Sequence, residues 1–221
     1  VRVLSFGDTH TPFMLQKWFD WVLDIAEWYQ PEKVVIVGDL TDNHALSRWP
    51  KNPEADNVPV EVDKARSQIK QITKAFPEVE LILGNHDDRL KKRLYDIGLP
   101  ERFGPSYREL YDLPDGWNIH PQGYECDGVY YYHGNKKGGQ MPALAMAREI
   151  GQSVVCGHHH GVGGKNERRP IGRTLFGMDL GCGVDIESYG MYYNVNTQMQ
   201  PVLGCGTVTD GVKAKHYTIG E

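Results

Sequence analysis

The chain has 221 residues of which 40% are hydrophobic, enough for one substantial core, which excludes a disordered tail and a small scaffold held by staples. Its formal net charge of -5 excludes a uniformly basic coat for nucleic acid but leaves room for a basic patch over one site. Cys126, Cys156, Cys182 and Cys205 form no CxxC pair, so neither a zinc knuckle nor a disulfide framework is expected.

Apolar and amphipathic runs alternate from the start, the pattern of an α/β domain. Val1 to Phe6 predicts a strand. Phe13 to Tyr29 predicts a helix whose Trp18, Trp21, Val22, Ile25 and Trp28 form one core-facing stripe. A strand from Lys33 to Val37, an irregular segment from Leu40 to Val60, a helix from Val62 to Phe76 and a strand from Val79 to Leu83 complete three strand and helix units. A charged helix follows from Asp88, with Lys91, Lys92 and Arg93 on a solvated face, and then a Pro-rich and Tyr-rich connector to Pro121. Beyond it, a strand at Val129 to Tyr132, a helix from Met141 to Ile150, a strand ending at Cys156 and Gly-bounded runs to Ile219 suggest an antiparallel second half. One domain over residues 1–221 is expected. No apolar stretch has membrane-spanning length, and VRVLSFGD starts in a strand pattern rather than a signal peptide, so a cytoplasmic protein without a membrane partner is expected.

Polar residues recur where those apolar runs stop. Asp8 follows LSFG, Asp39 follows VVIVG, Asn85 and His86 follow LILG, His158 follows VVCG, and His133 follows VYYY. In sheets wound this way ligands bind beyond the carboxyl ends of the strands, so five segments would deliver polar groups to one edge. Within CGHHHG, extended backbone would turn His158 and His160 to one side and His159 to the other; Asp8 and His10 repeat that spacing. Such oxygen and nitrogen donors suit divalent transition metals, and seven groups are too many for one ion and about right for two that share a bridge. Taken singly, Asp8 or Asp39 would read as a helix cap, Asn85 as a turn residue and His133 as a core histidine. His120, His159 and His216 are given no role.

The blocks FGDTH, VGDLTD, LGNHD, YHG and CGHHH, in that order, resemble the calcineurin-like metallophosphoesterase superfamily. That resemblance implies a four-layer α-β-β-α sandwich, two packed mixed β-sheets flanked by helices. It implies that Asp8, His10 and His160 hold one metal, that Asn85, His133 and His158 hold the other, and that Asp39 bridges them. His86 would be a proton donor to the leaving oxygen, oriented by Asp87, and Asp42 would stand behind a ligand. The chain departs from the protein Ser/Thr phosphatase branch, since Asn43 and His44 follow Asp42, and Asp87 follows His86 where that branch has Glu. It resembles the phosphodiesterase, nuclease and phage-type branches instead. Gly161 to Glu221 resembles the superfamily only in its strand-rich texture.

The implied activity is two-metal hydrolysis of a phosphoester by a water shared between the ions. Manganese is the first expectation, with iron, zinc, nickel, cobalt and magnesium as alternatives. A phosphodiester is the favoured substrate, single-stranded nucleic acid or a nucleotide derivative first, in the host cytoplasm if the chain is viral. A broad phosphomonoesterase and a non-catalytic metal-binding scaffold are the alternatives. His44 is a candidate for substrate contact. So are Lys136 and Lys137, near His133, and Lys165, Arg168, Arg169 and Arg173, which follow His160.

Overall fold

Apolar runs become strands and the amphipathic stretches between them helices in the computed structural model, which describes residues 1–169, 171–172, 174–188 and 200–220. In chain order the elements are β1 (Arg2–Phe6), α1 (Gln16–Tyr29), β2 (Lys33–Ile36), α2 (Val58–Ala75), β3 (Val79–Ile82), α3 (Arg89–Asp96), α4 (Tyr107–Tyr111), β4 (Trp117–His120), β5 (Tyr124–Cys126), β6 (Val129–Tyr132), α5 (Pro142–Ile150), β7 (Ser153–Cys156), β8 (Gly163–Arg168), β9 (Leu175–Leu180), β10 (Gly204–Thr209) and β11 (Lys213–Thr218). Short 3-10 turns lie at His44–Leu46 and Glu101–Phe103.

The strands form two sheets, ordered β11-β10-β1-β2-β3-β4 and β5-β6-β7-β9-β8. In the first, β1 to β4 run parallel and β10 pairs antiparallel with β1, Val3 opposite Val208. In the second, β6, β7 and β9 run parallel, with β5 and β8 antiparallel at the edges. The expected antiparallel second half is therefore corrected to a mixed sheet. The reason is α5, which carries the chain back from β6 so that β7 enters in the same direction.

Three apolar clusters define four layers. Trp18, Val22, Ile69 and Ile72 from α1 and α2 pack on Leu4, Phe6, Ile36 and Leu81 of the first sheet. On the sheet's other face, one residue along each strand, Val3, Val35 and Ile82 meet Tyr131, Val155, Met178 and Leu180 of the second sheet. Ala143, Met146 and Ala147 of α5 cover the far side against Tyr132, Val154 and Cys156. This is the sandwich that the resemblance implied.

Element boundaries differ where local chemistry outweighs periodicity. α1 begins three residues after Phe13, because Thr11 and Met14 are spent on isolated bridges to Thr41 and Val184. Its stripe runs Trp18, Val22, Ile25, and the next step of four reaches Tyr29, whose hydroxyl donates to the Val208 carbonyl at 2.9 Å. Trp28 consequently lies outside the core, 69% exposed. α2 starts earlier than Val62 because the Asn57 side chain accepts the Val60 N–H at 3.2 Å. The connector before Pro121 holds α4 and β4, anchored by buried Trp117, whose indole donates to the Phe76 carbonyl at 2.9 Å.

The basic face of α3 is also corrected. Lys92 Nζ donates to the Asn85 carbonyl at 3.0 Å, and Arg93 Nε to the Leu46 carbonyl at 2.8 Å. Lys91 keeps the expected solvated position, pairing at the surface with Glu101 at 3.1 Å. The helix faces the loop beside Asn85 and His86 and braces the 3-10 turn at His44–Leu46.

Candidate metal centre

Five parallel strands, β1, β2, β3, β6 and β7, end at one edge, and the loops leaving them carry Asp8, Asp39, Asn85, His133 and His158. The backbone there is not extended. Asp8, His10, Asp39 and His158 have φ of 49°, 46°, 47° and 70°, a left-handed conformation that costs non-glycine residues about 1–3 kcal/mol each and concentrates at functional sites. The alternation argument for His158 and His160 thus reaches the observed grouping through different dihedrals. His159 is held apart by donating from Nε2 to the Lys137 carbonyl at 2.6 Å.

Two glycines permit this crowding. A Cβ on Gly84 would lie 2.1 Å from Asp39 Oδ1, and one on Gly157 would lie 2.0 Å from Asp8 Oδ2. With no Cβ at either position the chain approaches closely enough for His86 N to donate to Asp39 Oδ1 at 2.8 Å and His158 N to Asp8 Oδ2 at 2.9 Å. One oxygen of each carboxylate is thereby fixed to backbone. The other is left to the interior of the cluster.

On one side, Asp8 Oδ1 is buried without a hydrogen-bond partner and lies 3.3 Å from His160 Nε2 and 3.9 Å from His10 Nε2. The two imidazole nitrogens are 3.1 Å apart. His10 Nδ1 donates to Asp42 Oδ1 at 2.7 Å, which leaves the Nε2 lone pair turned inward. On the other side, His133 Nδ1 donates to the Val37 carbonyl at 3.0 Å, and its Nε2 faces Asn85 Oδ1, His158 Nδ1 and Asp39 Oδ2 at 3.0, 3.1 and 3.2 Å. Asp39 Oδ2 also lies 3.7 Å from His10 Nε2 and 4.0 Å from His86 Nε2. Donor atoms of Asp8, His10 and His160 lie within 4.8 Å of one another, as do those of Asp39, His133 and His158, and those of His10, Asp39 and His86.

The electrostatics favour a cation. Burial would raise the Asp39 carboxyl, but the His133 and His86 imidazoles outweigh it and hold the group well below its ordinary value. Burial lowers His10, and burial with His133 alongside lowers His158 to about 4, so both rings keep lone pairs available at neutral pH. Burial would lower His133 too, yet the Asp39 and Asp8 carboxylates push it up to about 10. The field that draws a proton to His133 is the field that would draw a metal ion, with release of that proton. An orphaned buried carboxylate oxygen beside inward-facing imidazoles fits divalent transition metals.

The structure separates the roles implied for the neighbouring acids. Asp87 does not orient His86: its Oδ1 accepts from Thr41 N, Thr41 Oγ1 and Tyr107 OH at 3.0, 2.9 and 2.7 Å, and its Oδ2 accepts from Gly84 N at 2.8 Å. Four donors in the loop walls leave it no reach to the ring. His86 Nδ1 instead faces the Asp42 carbonyl and Asp42 Oδ1, both at 3.1 Å. Burial would lower the His86 imidazole, but Asp39 and then Asp42 hold it above its usual value.

A cleft of about 1060 Å³ opens from the cluster, lined in part by Asp39, His44, Asn85, His86, His158 and His160. Among the described residues the cations expected from the basic runs do not line it. Lys165 and Arg168 lie on edge strand β8, Lys165 and Arg169 pair with Glu167, Lys137 pairs with Glu149, Lys136 is exposed, and Arg173 falls outside the described residues. Among the described residues the Lys or Arg that lines the cleft is Arg89, whose Nη1 donates to the Asp42 carbonyl at 2.8 Å and whose Nη2 lies 3.1 Å from His86 Nε2. Its position three residues after His86, at the start of a helix, was the available signal. Trp49, from the segment read as irregular, lines the same wall.

Residues 1–174 match the family model for calcineurin-like phosphoesterases. Among curated proteins the chain is similar to the Gene 54 protein of Mycobacterium phage D29, 27% identical over 205 residues that cover 81% of this chain and 78% of the relative. The Gene 54 protein of Mycobacterium phage L5 is 26% identical over 204 residues with the same coverage. The crystal structure of hypothetical protein PH1004 from Pyrococcus horikoshii OT3 aligns with a TM-score of 0.55 at 11% identity, over 99% of this chain and 87% of that one, a likeness of fold. Because the family match runs from the first residue past every donor gathered at this sheet edge, the chain belongs to the calcineurin-like phosphoesterase family.

Proposed function

We propose that the chain is a two-metal phosphoester hydrolase that prefers phosphodiesters, with nucleic acid or a nucleotide derivative as substrate. The observation that carries this reading is Asp39, whose Oδ2 faces His133 on one side and His10 on the other at 3.2 and 3.7 Å. Asp8, His10 and His160 would hold one ion, Asn85, His133 and His158 the second, and Asp39 would touch both. Two divalent cations, manganese first among them, would supply charge to bind phosphate oxygens and Lewis acidity to make water nucleophilic at neutral pH. Asp42, as acceptor for Nδ1–H, keeps His86 Nε2 turned to the cleft, where that nitrogen, once the Arg89 N–H that it accepts here turns to the substrate, can hold a proton and pass it to the leaving oxygen. Arg89 lies beside that nitrogen and supplies positive charge on the wall where an anionic substrate enters.

The cleft supports the diester preference, because it extends from the donor cluster to Trp49 and Gln140 and is far larger than a phosphate group needs. The similarity to phage proteins supports action in a host cytoplasm. Turnover of bis(p-nitrophenyl) phosphate and p-nitrophenyl phosphate, each with and without manganese, tests the reading. Faster metal-dependent diester hydrolysis is expected. Preference for the monoester would make the chain a phosphomonoesterase, and metal binding without turnover of either would make it a scaffold.

A further inference from the structure

A second hollow of about 160 Å³ adjoins the cleft and shares Ser47, Trp49, Asn85 and Arg89 with it. Arg48, Lys92 and Arg93 join Arg89 in its wall, and no carboxylate is among its described lining residues. Arg48 and Arg93 share Asp96, and Arg89 pairs with Asp42 at 3.5 Å, so the four cations outnumber the two acids that balance them. The excess positive charge that remains around this small hollow favours an anion there. Trp49 lines both the hollow and the cleft, and it is 79% exposed. The loop beneath it is tied down: Trp49 N donates to Ser47 Oγ at 3.1 Å, and Arg93 donates to the carbonyls of Leu46 and Ser47. A large exposed aromatic surface on a tied-down loop next to a cationic hollow is the chemistry that receives a base and its neighbouring phosphate.

We propose that Trp49 stacks a nucleobase and that the hollow of Arg48, Arg89, Lys92 and Arg93 takes a flanking phosphate, so the substrate is a single-stranded nucleic acid chain. This rests on the phosphodiesterase reading and narrows it. A small diester fills the donor cluster and leaves both features unused. A strand engages all three, and each phosphate contact adds a salt-dependent increment through counterion release.

The test compares manganese-loaded wild type, Trp49→Ala, Trp49→Phe and Arg48→Ala on methyl p-nitrophenyl phosphate, thymidylyl-thymidine and the same dinucleotide with a terminal phosphate. Trp49→Ala should raise KM for both dinucleotides about tenfold relative to its effect on the methyl ester, and Trp49→Phe should restore most of that. Arg48→Ala should raise KM selectively for the phosphate-bearing dinucleotide and reduce its salt slope by about 0.7. Parallel changes on all three substrates, or hydrolysis of the methyl ester with no dinucleotide cleavage, overturn the subsite and leave the phosphodiesterase reading standing. If wild type cleaves only p-nitrophenyl phosphate, the diester reading falls. Fluorescence anisotropy of a labelled single-stranded oligonucleotide then decides the subsite by itself: undiminished binding by Trp49→Ala and Arg48→Ala overturns it.

Discussion

Asp42 stands behind two imidazoles at once, His10 at 2.7 Å and His86 at 3.1 Å, and its pKa is driven below the carboxylate range by them although burial opposes this. Removing its charge should therefore affect a ligand and a proton carrier together. Asp42→Asn is expected to lose tenfold to a hundredfold in metal affinity, read by metal titration. Asp87→Asn should behave differently, because its four donors lie in loop walls: a side-chain N–H turned toward one of them should cost about 1–3 kcal/mol, read from the urea midpoint, with metal affinity retained. Equal metal loss in the two variants would return the orienting role to Asp87. His86→Ala should keep both ions and lose roughly a hundredfold to ten-thousandfold in turnover, with partial rescue by leaving groups of low pKa. Loss of an ion would make His86 a ligand, consistent with its place among the His10 and Asp39 donor atoms. The donors were legible in the sequence because each follows a strand, a relation of neighbours along the chain. The contacts of Asp87 and Arg89 were not, because Tyr107 and Asp42 reach them from other segments.

The interface of β9 with α5 carries a buried acid outside the metal site. Asp179 Oδ1 accepts from Ala143 N, in the first turn of α5, at 3.2 Å and from the Cys156 thiol at 3.3 Å, whereas Oδ2 is buried without a partner. Burial pushes this carboxyl up to about 6, above the ordinary value of about 3.9. An acid with a raised folded-state pKa holds more proton when folded than when unfolded. Its contribution to stability is thus lost as pH rises from about 4 to about 6, and the ceiling is roughly 3 kcal/mol for two pKa units. Asp179→Asn should flatten urea stability over that window and gain most above it, provided the amide keeps the bond from Ala143. An unchanged pH slope would place the titrating group elsewhere. Elements of this kind mark the limit of pattern reading: the strands β1 to β3 announced themselves as apolar runs, but β4, at WNIH, and the parallel entry of β7 depend on partners that a linear pattern does not name.

At the scale of the molecule, the donors come from both sheets: Asp8, Asp39 and Asn85 leave the first, and His133, His158 and His160 leave the second. A metal bound there would further join two layers already held by side-chain packing between their inner faces and by the bonds from His133 to the Val37 carbonyl and from His158 N to Asp8. Manganese should accordingly raise the thermal midpoint in a concentration-dependent way, by mass action on the folded state. In Asp39→Asn, which loses the shared carboxylate, the shift should largely vanish and fewer than two ions should bind by mass spectrometry. Two ions held as tightly as in wild type would remove Asp39 from the bridge. The last part of the chain, about Gly161 to Glu221, carried no motif, yet β9 lies between β7 and β8, and β10 flanks β1. A fragment ending at residue 174, where the family match stops, would keep every donor from Asp8 to His160. It would nevertheless expose the β7 edge beneath His158 and the β1 edge beneath Asp8, the two strands whose loops meet through the His158 N–H. The donor inventory is complete by that point, but the lateral support that holds its loops in register arrives with β9 and the final hairpin, so expression of a shortened chain should yield protein that carries the motifs and lacks the site.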